Sequence, residues 1–151
     1  MTTGDLDVVA SGLAANVVLH SPITTHPFEG RAAVLALLAD VLDGLDHFEY
    51  VLDTAFEDGR VLGAQCEIAG REFELVEVLS YDDAGLIRDV AIQVRPLVGT
   101  LSLMAALGPR IALRLHGRGR ALVMRLATAP LPALGQALDW IGYRLAGPWS
   151  A

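Results

Sequence analysis

Glu77 is the side chain of this sequence best placed for acid chemistry. In Phe73-Glu74-Leu75-Val76-Glu77-Val78-Leu79-Ser80-Tyr81, strand alternation puts Phe73, Leu75, Glu77, Leu79 and Tyr81 on one face. A lone carboxyl among such neighbours loses hydration, so its pKa rises and it can donate a hydrogen bond or act as a general acid. The bland alternative is a carboxylate paired with an arginine or reaching solvent at a rim. Other reactive types carry less. Cys66, the one cysteine, falls inside a strand segment and reads as a small buried hydrophobe. His20 points away from the face of its neighbour Ser21, and His116 reads as facing solvent from a helix. His26 and His47 have no carboxylate or second histidine at ligand spacing, so no metal site is expected. No serine–histidine–acid set, glycine-rich phosphate loop or nucleotide fingerprint occurs, and no cofactor is implied.

The elements that must position Glu77 follow from periodicity. Asp5 serves as an N-cap for a short helix striped by Leu6, Val9, Ala10 and Leu13. Val17 to Thr24 reads as a strand. From Arg31 to Leu45, Val34, Leu37, Leu38, Val41 and Leu45 keep the one-face spacing of an amphipathic helix. Four strands are expected at about 47–56, 60–68, 72–81 and 86–95. They are joined by Glu57-Asp58-Gly59, Ala69-Gly70 and Asp82-Asp83-Ala84-Gly85, all hairpin chemistry. Helices first and an antiparallel meander afterwards give an α+β layer architecture.

Beyond Pro96 the pattern turns helical. Leu97–Leu107 is nearly uncharged and too short to span a bilayer, which needs about 20 residues. Pro109 suits the first turn of a new helix, in which Arg110, Arg114, Arg118 and Arg125 share one face. Gly117 and Gly119 weaken that helix, and Ala129-Pro130-Leu131-Pro132 ends it. Leu134, Leu138, Ile141 and Leu145 form a last amphipathic stripe, flanked by Trp140, Tyr143 and Trp149.

Composition bounds the partners. A chain of 151 residues, 53% of them apolar, is one globular domain with a sizeable core. Every basic residue is arginine. Residues 1–95 carry seventeen acids against five arginines, a balance of −12, whereas residues 96–151 carry Asp139 against six arginines, a balance of +5. An acidic body disfavours nucleic acid, because binding there runs on clustered positive charge. The basic segment can dock on its own acidic body, on a second subunit, or on an anionic membrane surface through the Arg110, Arg114, Arg118 and Arg125 face. No positively charged apolar leader opens the chain, so a cytoplasmic protein is expected.

Three stretches together resemble the nuclear transport factor 2-like superfamily, which includes ketosteroid isomerases, SnoaL-type polyketide cyclases, scytalone dehydratase and limonene-epoxide hydrolase. They are Val17-Val18-Leu19-His20-Ser21-Pro22 leading to Gly30-Arg31, the strand around Glu77, and the segment from Asp82-Asp83-Ala84-Gly85 to Arg95-Pro96. The resemblance covers about residues 5–98. It implies a cone of curved antiparallel sheet wrapped on helices over residues 1–98, with residues 99–151 as a helical extension packing on the same domain. It also implies an apolar pocket inside the sheet. Phe73, Leu75 and Leu79 would line it beside Glu77, with Val90, Ile92 and Val94 from the last strand and Leu38 and Val41 from the helix.

The bacterial ketosteroid isomerases carry Glu-Asp-Pro where this chain has His20-Ser21-Pro22, so Ser21 stands in the place of their general base. An unassisted hydroxyl is a poor base near neutral pH, and beside Pro22 it would bond to the backbone. The acid that donates to the substrate oxyanion in those enzymes, a case used as a worked example of pKa tuning, falls on Glu77. Their tyrosine on a long N-terminal helix has no counterpart, so the C-terminal helices would cover the cone instead. Pairing of Glu77 with Arg71 or Arg95 would imitate limonene-epoxide hydrolase, although alternation turns Arg95 outward. The resemblance implies binding of a hydrophobic small molecule with Glu77 as the main polar contact. It also admits an isomerase, cyclase or dehydratase using Glu77 as acid/base, or a homodimeric module with a filled core that pairs through its outer sheet face.

Overall fold

The computed structural model describes residues 3–146, with side chains over 7–145. Trp149 lies outside the described residues. A helix α1 (Thr3–Gly12) leads into β1 (Leu13–His20) and the two-residue β2 (Phe28–Glu29), followed by α2 (Arg31–Gly44). Four long strands come next: β3 (His47–Phe56), β4 (Gly59–Ile68), β5 (Arg71–Tyr81) and β6 (Ile87–Arg95). Three helices close the chain, α3 (Leu97–His116), α4 (Arg118–Thr128) and α5 (Leu131–Ala146). The sheet runs β2-β1-β6-β5-β4-β3, antiparallel except where β1 lies parallel to β6. This is an α+β fold with one curved, open, mixed sheet.

Local chemistry explains the hairpins. Ala69 and Gly70 both take positive φ (51° and 70°), the turn that matches the right-handed twist of β4 and β5. At the β5–β6 turn the Asp82 carboxylate accepts hydrogen bonds from the backbone N–H groups of Ala84 and Leu86, both at 2.9 Å. The Gly30-Arg31 pair is structural. Gly30 turns into α2 at φ 85° while its N–H bonds to the Val17 carbonyl at 2.8 Å, and the Arg31 guanidinium donates to the Leu13 carbonyl.

β1 differs from its expected span, since the chain becomes extended at Leu13, which is fully buried with Ala14 and Val17 rather than on the helix. The core falls into two clusters. One joins Leu13, Val17, Leu19, Val34, Leu37, Leu79 and Val90, and the other joins Ala64, Cys66, Ile68, Phe73, Leu75, Leu103 and Leu107. Val41, Ile92 and Ile111 pack against both. The first helix of the extension is therefore part of the core, with Gly99, Ser102, Leu103 and Leu107 buried.

The helical tail departs from the sequence reading in three ways. Pro109 does not start a helix, because α3 runs through it with Leu107 and Ile111 held in the core on either side. The break falls at Gly117, at φ 81° and ψ −177°, a region essentially reserved for glycine. The four arginines consequently do not share one helix face. Arg110 pairs with Asp43 at 2.8 Å, and Arg114 pairs with Asp40 at 2.6 Å while donating to the Ala36 carbonyl, so both dock on α2. Arg118 and Arg125 lie on α4 and make no ion pair among the described residues. Lastly, the Leu134, Leu138, Ile141 and Leu145 stripe faces solvent, while Pro132 and Gly135 of α5 are buried and Gly135 meets Leu101 and Val98 of α3. A Cβ on Gly135 would come within 2.8 Å of Leu101 Cδ1, which shows how closely the helices approach.

Gly117→Ala should lower unfolding free energy by about 1–3 kcal/mol through backbone strain alone, since nothing lies within 4 Å of the added methyl. Gly119→Ala, equally open but inside α4, should raise it by about 0.5–1 kcal/mol. Urea unfolding of the two variants checks both signs.

Candidate functional site

Between the sheet and the helices lies a cavity of about 600 Å³. Strand alternation builds one wall: Phe73, Leu75, Glu77 and Leu79 of β5 point inward together, and Val90, Ile92 and Val94 of β6 continue that face. Leu38 and Val41 of α2 form the opposite side, and α3 contributes Met104, Leu107 and Ile111. Ser21 is also on the wall. The cavity touches residues of both core clusters.

Glu77 does not meet an arginine. Arg95 pairs with Glu74 at 2.6 Å on the outer face, and Arg71 donates to the carbonyl of Ala69. The partner of Glu77 is Tyr50, whose hydroxyl donates to Glu77 Oε2 at 3.2 Å. Tyr50 sits on β3 opposite Ala64, two residues along from the row containing Leu62 and Glu77, and its side chain reaches past β4. A bulge at Val51 separates Tyr50 from Leu52, and Phe48 packs edge-on against its ring at a centroid distance of 4.8 Å. Tyr50 was missed in the sequence reading. Alternation puts Phe48 and Tyr50 on one strand face, but register counted from the β3–β4 turn sets Tyr50 opposite Gln65 on the outer side, and only the bulge at Val51 moves it opposite Ala64, onto the face of Glu77.

Electrostatics fit a buried acid. Burial raises the Glu77 pKa above the usual carboxylate range, and the hydrogen bond from Tyr50 pulls it partly back. Tyr50 is half exposed, yet partial burial, then the charge of Glu77 and the hydrogen bond to it, raises its pKa, so the phenol stays neutral and remains a donor. Burial, followed by the Glu77 charge, pushes the Cys66 thiol up to about 11, which removes it as a thiolate nucleophile.

Ser21 does what its place beside Pro22 suggests: its hydroxyl accepts from the Ile23 backbone N–H at 3.2 Å. His20 is on the outer face, 3.1 Å from Asp89. His47 lies 3.7 Å from Glu49, and His116 is exposed at the edge of the cavity wall. Among the described residues no three histidines, cysteines or carboxylates converge as a metal site would require.

The fold has relatives. A steroid delta-isomerase from Pseudomonas aeruginosa superposes with TM-score 0.68 at 28% identity, covering 73% of this chain and 82% of that one. A Silicibacter pomeroyi DSS-3 protein with a cystatin-like fold gives 0.68 at 25% identity, covering 82% and 85%. A de novo designed protein with a curved β-sheet reaches 0.52 at 16%, covering 64% and 89%, and shares the fold alone. Comparison with curated proteins gives no match. The SnoaL-like domain family model matches residues 1–90, the segment that carries β1 to β5 and Glu77, and the chain belongs to that family.

Proposed function

We propose that the cavity binds a hydrophobic small metabolite bearing one carbonyl or hydroxyl group, with Glu77 as its main polar contact and Tyr50 holding that carboxyl in place. The observation that carries this reading is a cavity of about 600 Å³ whose apolar walls converge on the Glu77–Tyr50 pair. Such a site buries most of a drug-sized ligand and fixes its orientation through few polar groups. The outer sheet face, where register places Leu52 and Phe56 opposite the side of Glu77, would accept a second copy of the chain.

A thermal-shift screen of steroid ketones, aromatic polyketide-like phenols, fatty acids and terpenoid epoxides tests the binding reading. A ligand present at a hundred times its dissociation constant adds about 2.7 kcal/mol of stability. Tyr50→Phe should keep the hit but move the pH midpoint of its binding upward, because the hydrogen bond that lowers the Glu77 pKa is gone. A variant with an unmoved midpoint would sever Tyr50 from the site. No shift with any class at saturating concentration would end the binding reading.

The likeness to a steroid delta-isomerase favours a second reading, proton transfer next to a carbonyl. Ser21 supplies no base, so ionised Glu77 would have to take the proton while neutral Tyr50 donates toward the developing oxyanion. Conversion of a β,γ-unsaturated steroid ketone to its conjugated isomer, followed by absorbance, decides it.

A further inference from the structure

α4 and α5 present more apolar surface to solvent than a helix pair at rest in water normally does. The α5 stripe of Leu134, Leu138, Ile141 and Leu145 is between 43% and 82% exposed, and Trp140 and Tyr143 are exposed beside it. On α4, Leu122, Val123 and Leu126 are exposed, while Ala121, Met124 and Thr128 turn toward the protein. Isolated exposed leucines need no explanation, but a continuous apolar stripe marks a surface that something covers.

Charge says what covers it. Arg118, Arg120, Arg125 and Arg144 lie in these two helices against Asp139 alone, whereas Arg110 and Arg114 are already neutralised by Asp43 and Asp40. The body behind them is strongly acidic. Arginine and aromatic residues also occur at protein–protein interfaces, but a second copy of this chain would set Arg118, Arg120, Arg125 and Arg144 against their own like charges, with Asp139 alone to offset them. Arginines interleaved with leucines, with tryptophan and tyrosine alongside, suit a lipid headgroup boundary, where apolar groups sink and guanidinium groups stay with phosphate. The Arg144 guanidinium already lies over the Trp140 ring, 4.8 Å from its centroid.

By length and composition alone, Leu97–His116 and Arg118–Leu145 are each long and apolar enough to cross a bilayer. In this fold α3 is held in the core through Gly99, Ser102, Leu103 and Leu107, and the second stretch is two helices, α4 of 11 residues with three arginines and α5 of 16 residues, about 24 Å against a hydrocarbon core of about 30 Å. We propose that the exposed faces of α4 and α5 dock the protein on an anionic membrane surface, with the acidic body held away from it. Met124 of α4 also borders the cavity, so the docking helices and the cavity share a wall.

The test is flotation of the full chain with vesicles of phosphatidylcholine alone and of phosphatidylcholine mixed with phosphatidylglycerol. Emission is recorded from Trp140 in a Trp149→Phe background. The expected result is co-flotation and a blue-shifted Trp140 signal with the mixed vesicles only. Partitioning should weaken by about a hundredfold in the combined Arg118→Gln, Arg120→Gln and Arg125→Gln variant. All three positions are exposed, so that variant should fold. Equal flotation on neutral vesicles overturns the anionic surface, and no flotation on either overturns docking. Self-association abolished by Leu138→Ser with Ile141→Ser, in protein that ignores vesicles, assigns the face to a second copy instead.

Discussion

A ketone-bearing ligand of the cavity should bind wild type most tightly below the raised pKa of Glu77 and loosen as pH rises through it. The Glu77→Gln variant should bind with an affinity that pH does not change. The protonated carboxyl donates a hydrogen bond to the ligand oxygen; the carboxylate cannot, and leaves that oxygen facing a charge. Losing such a contact in a buried site costs about 1–3 kcal/mol, or roughly 5- to 150-fold in affinity. Stability follows the same group. Because folding raises the Glu77 pKa, its contribution is fully present below the unfolded value and is lost as pH rises through the folded one. Glu77→Gln should therefore melt higher than wild type on the alkaline side of that window, with the difference shrinking toward acid. Calorimetric titration and melting curves across pH read both effects. A wild-type affinity that is flat in pH, together with a Gln variant that melts no higher at any pH, would leave Glu77 as an ordinary rim carboxylate.

Most of the sheet and its inward face could be read from the sequence because a half-buried strand encodes its orientation in alternation. Phe73, Leu75, Glu77 and Leu79 needed only that period and a hairpin on each side. Tyr50 could not be read so simply. Its place depends on pairing register summed over two hairpins and on a bulge at Val51, and a bulge has no signature in hydrophobic pattern. The C-terminal helices were misread for a different reason. An amphipathic stripe states which residues are apolar, not which way they face, and the close approach to α3 at Gly135 turned the stripe of α5 outward. Pro109 and Gly117 exchanged roles because core packing on both sides of Pro109 outweighs one missing hydrogen bond. No such packing holds Gly117 in a helix.

Phe73→Ala should be among the most destabilising single changes in this chain. Phe73 is 4% exposed and packs with Cys66, Leu75, Leu103 and Leu107, while Gly99 of α3 rests directly on it. A Cβ at Gly99 would stand only 2.4 Å from Phe73 Cβ, so the helix and the ring are fitted to each other and α3 has no slack with which to follow a smaller side chain inward. Removing a buried phenyl ring costs about 3–5 kcal/mol, which for a domain of this size lowers the melting temperature by about 6–20 °C. The lost volume adjoins the existing cavity, so the void can take up water or ligand, and the low end of that range is the better expectation. Leu115→Ala, which removes an apolar side chain that is 60% exposed on the same helix, should cost no more than about 0.5 kcal/mol. Equilibrium denaturation of the two variants separates burial from mere apolarity. Equal, small losses would mean that the contact of α3 with the sheet does not hold this fold together, and that α3 is free to lift from the cavity it covers.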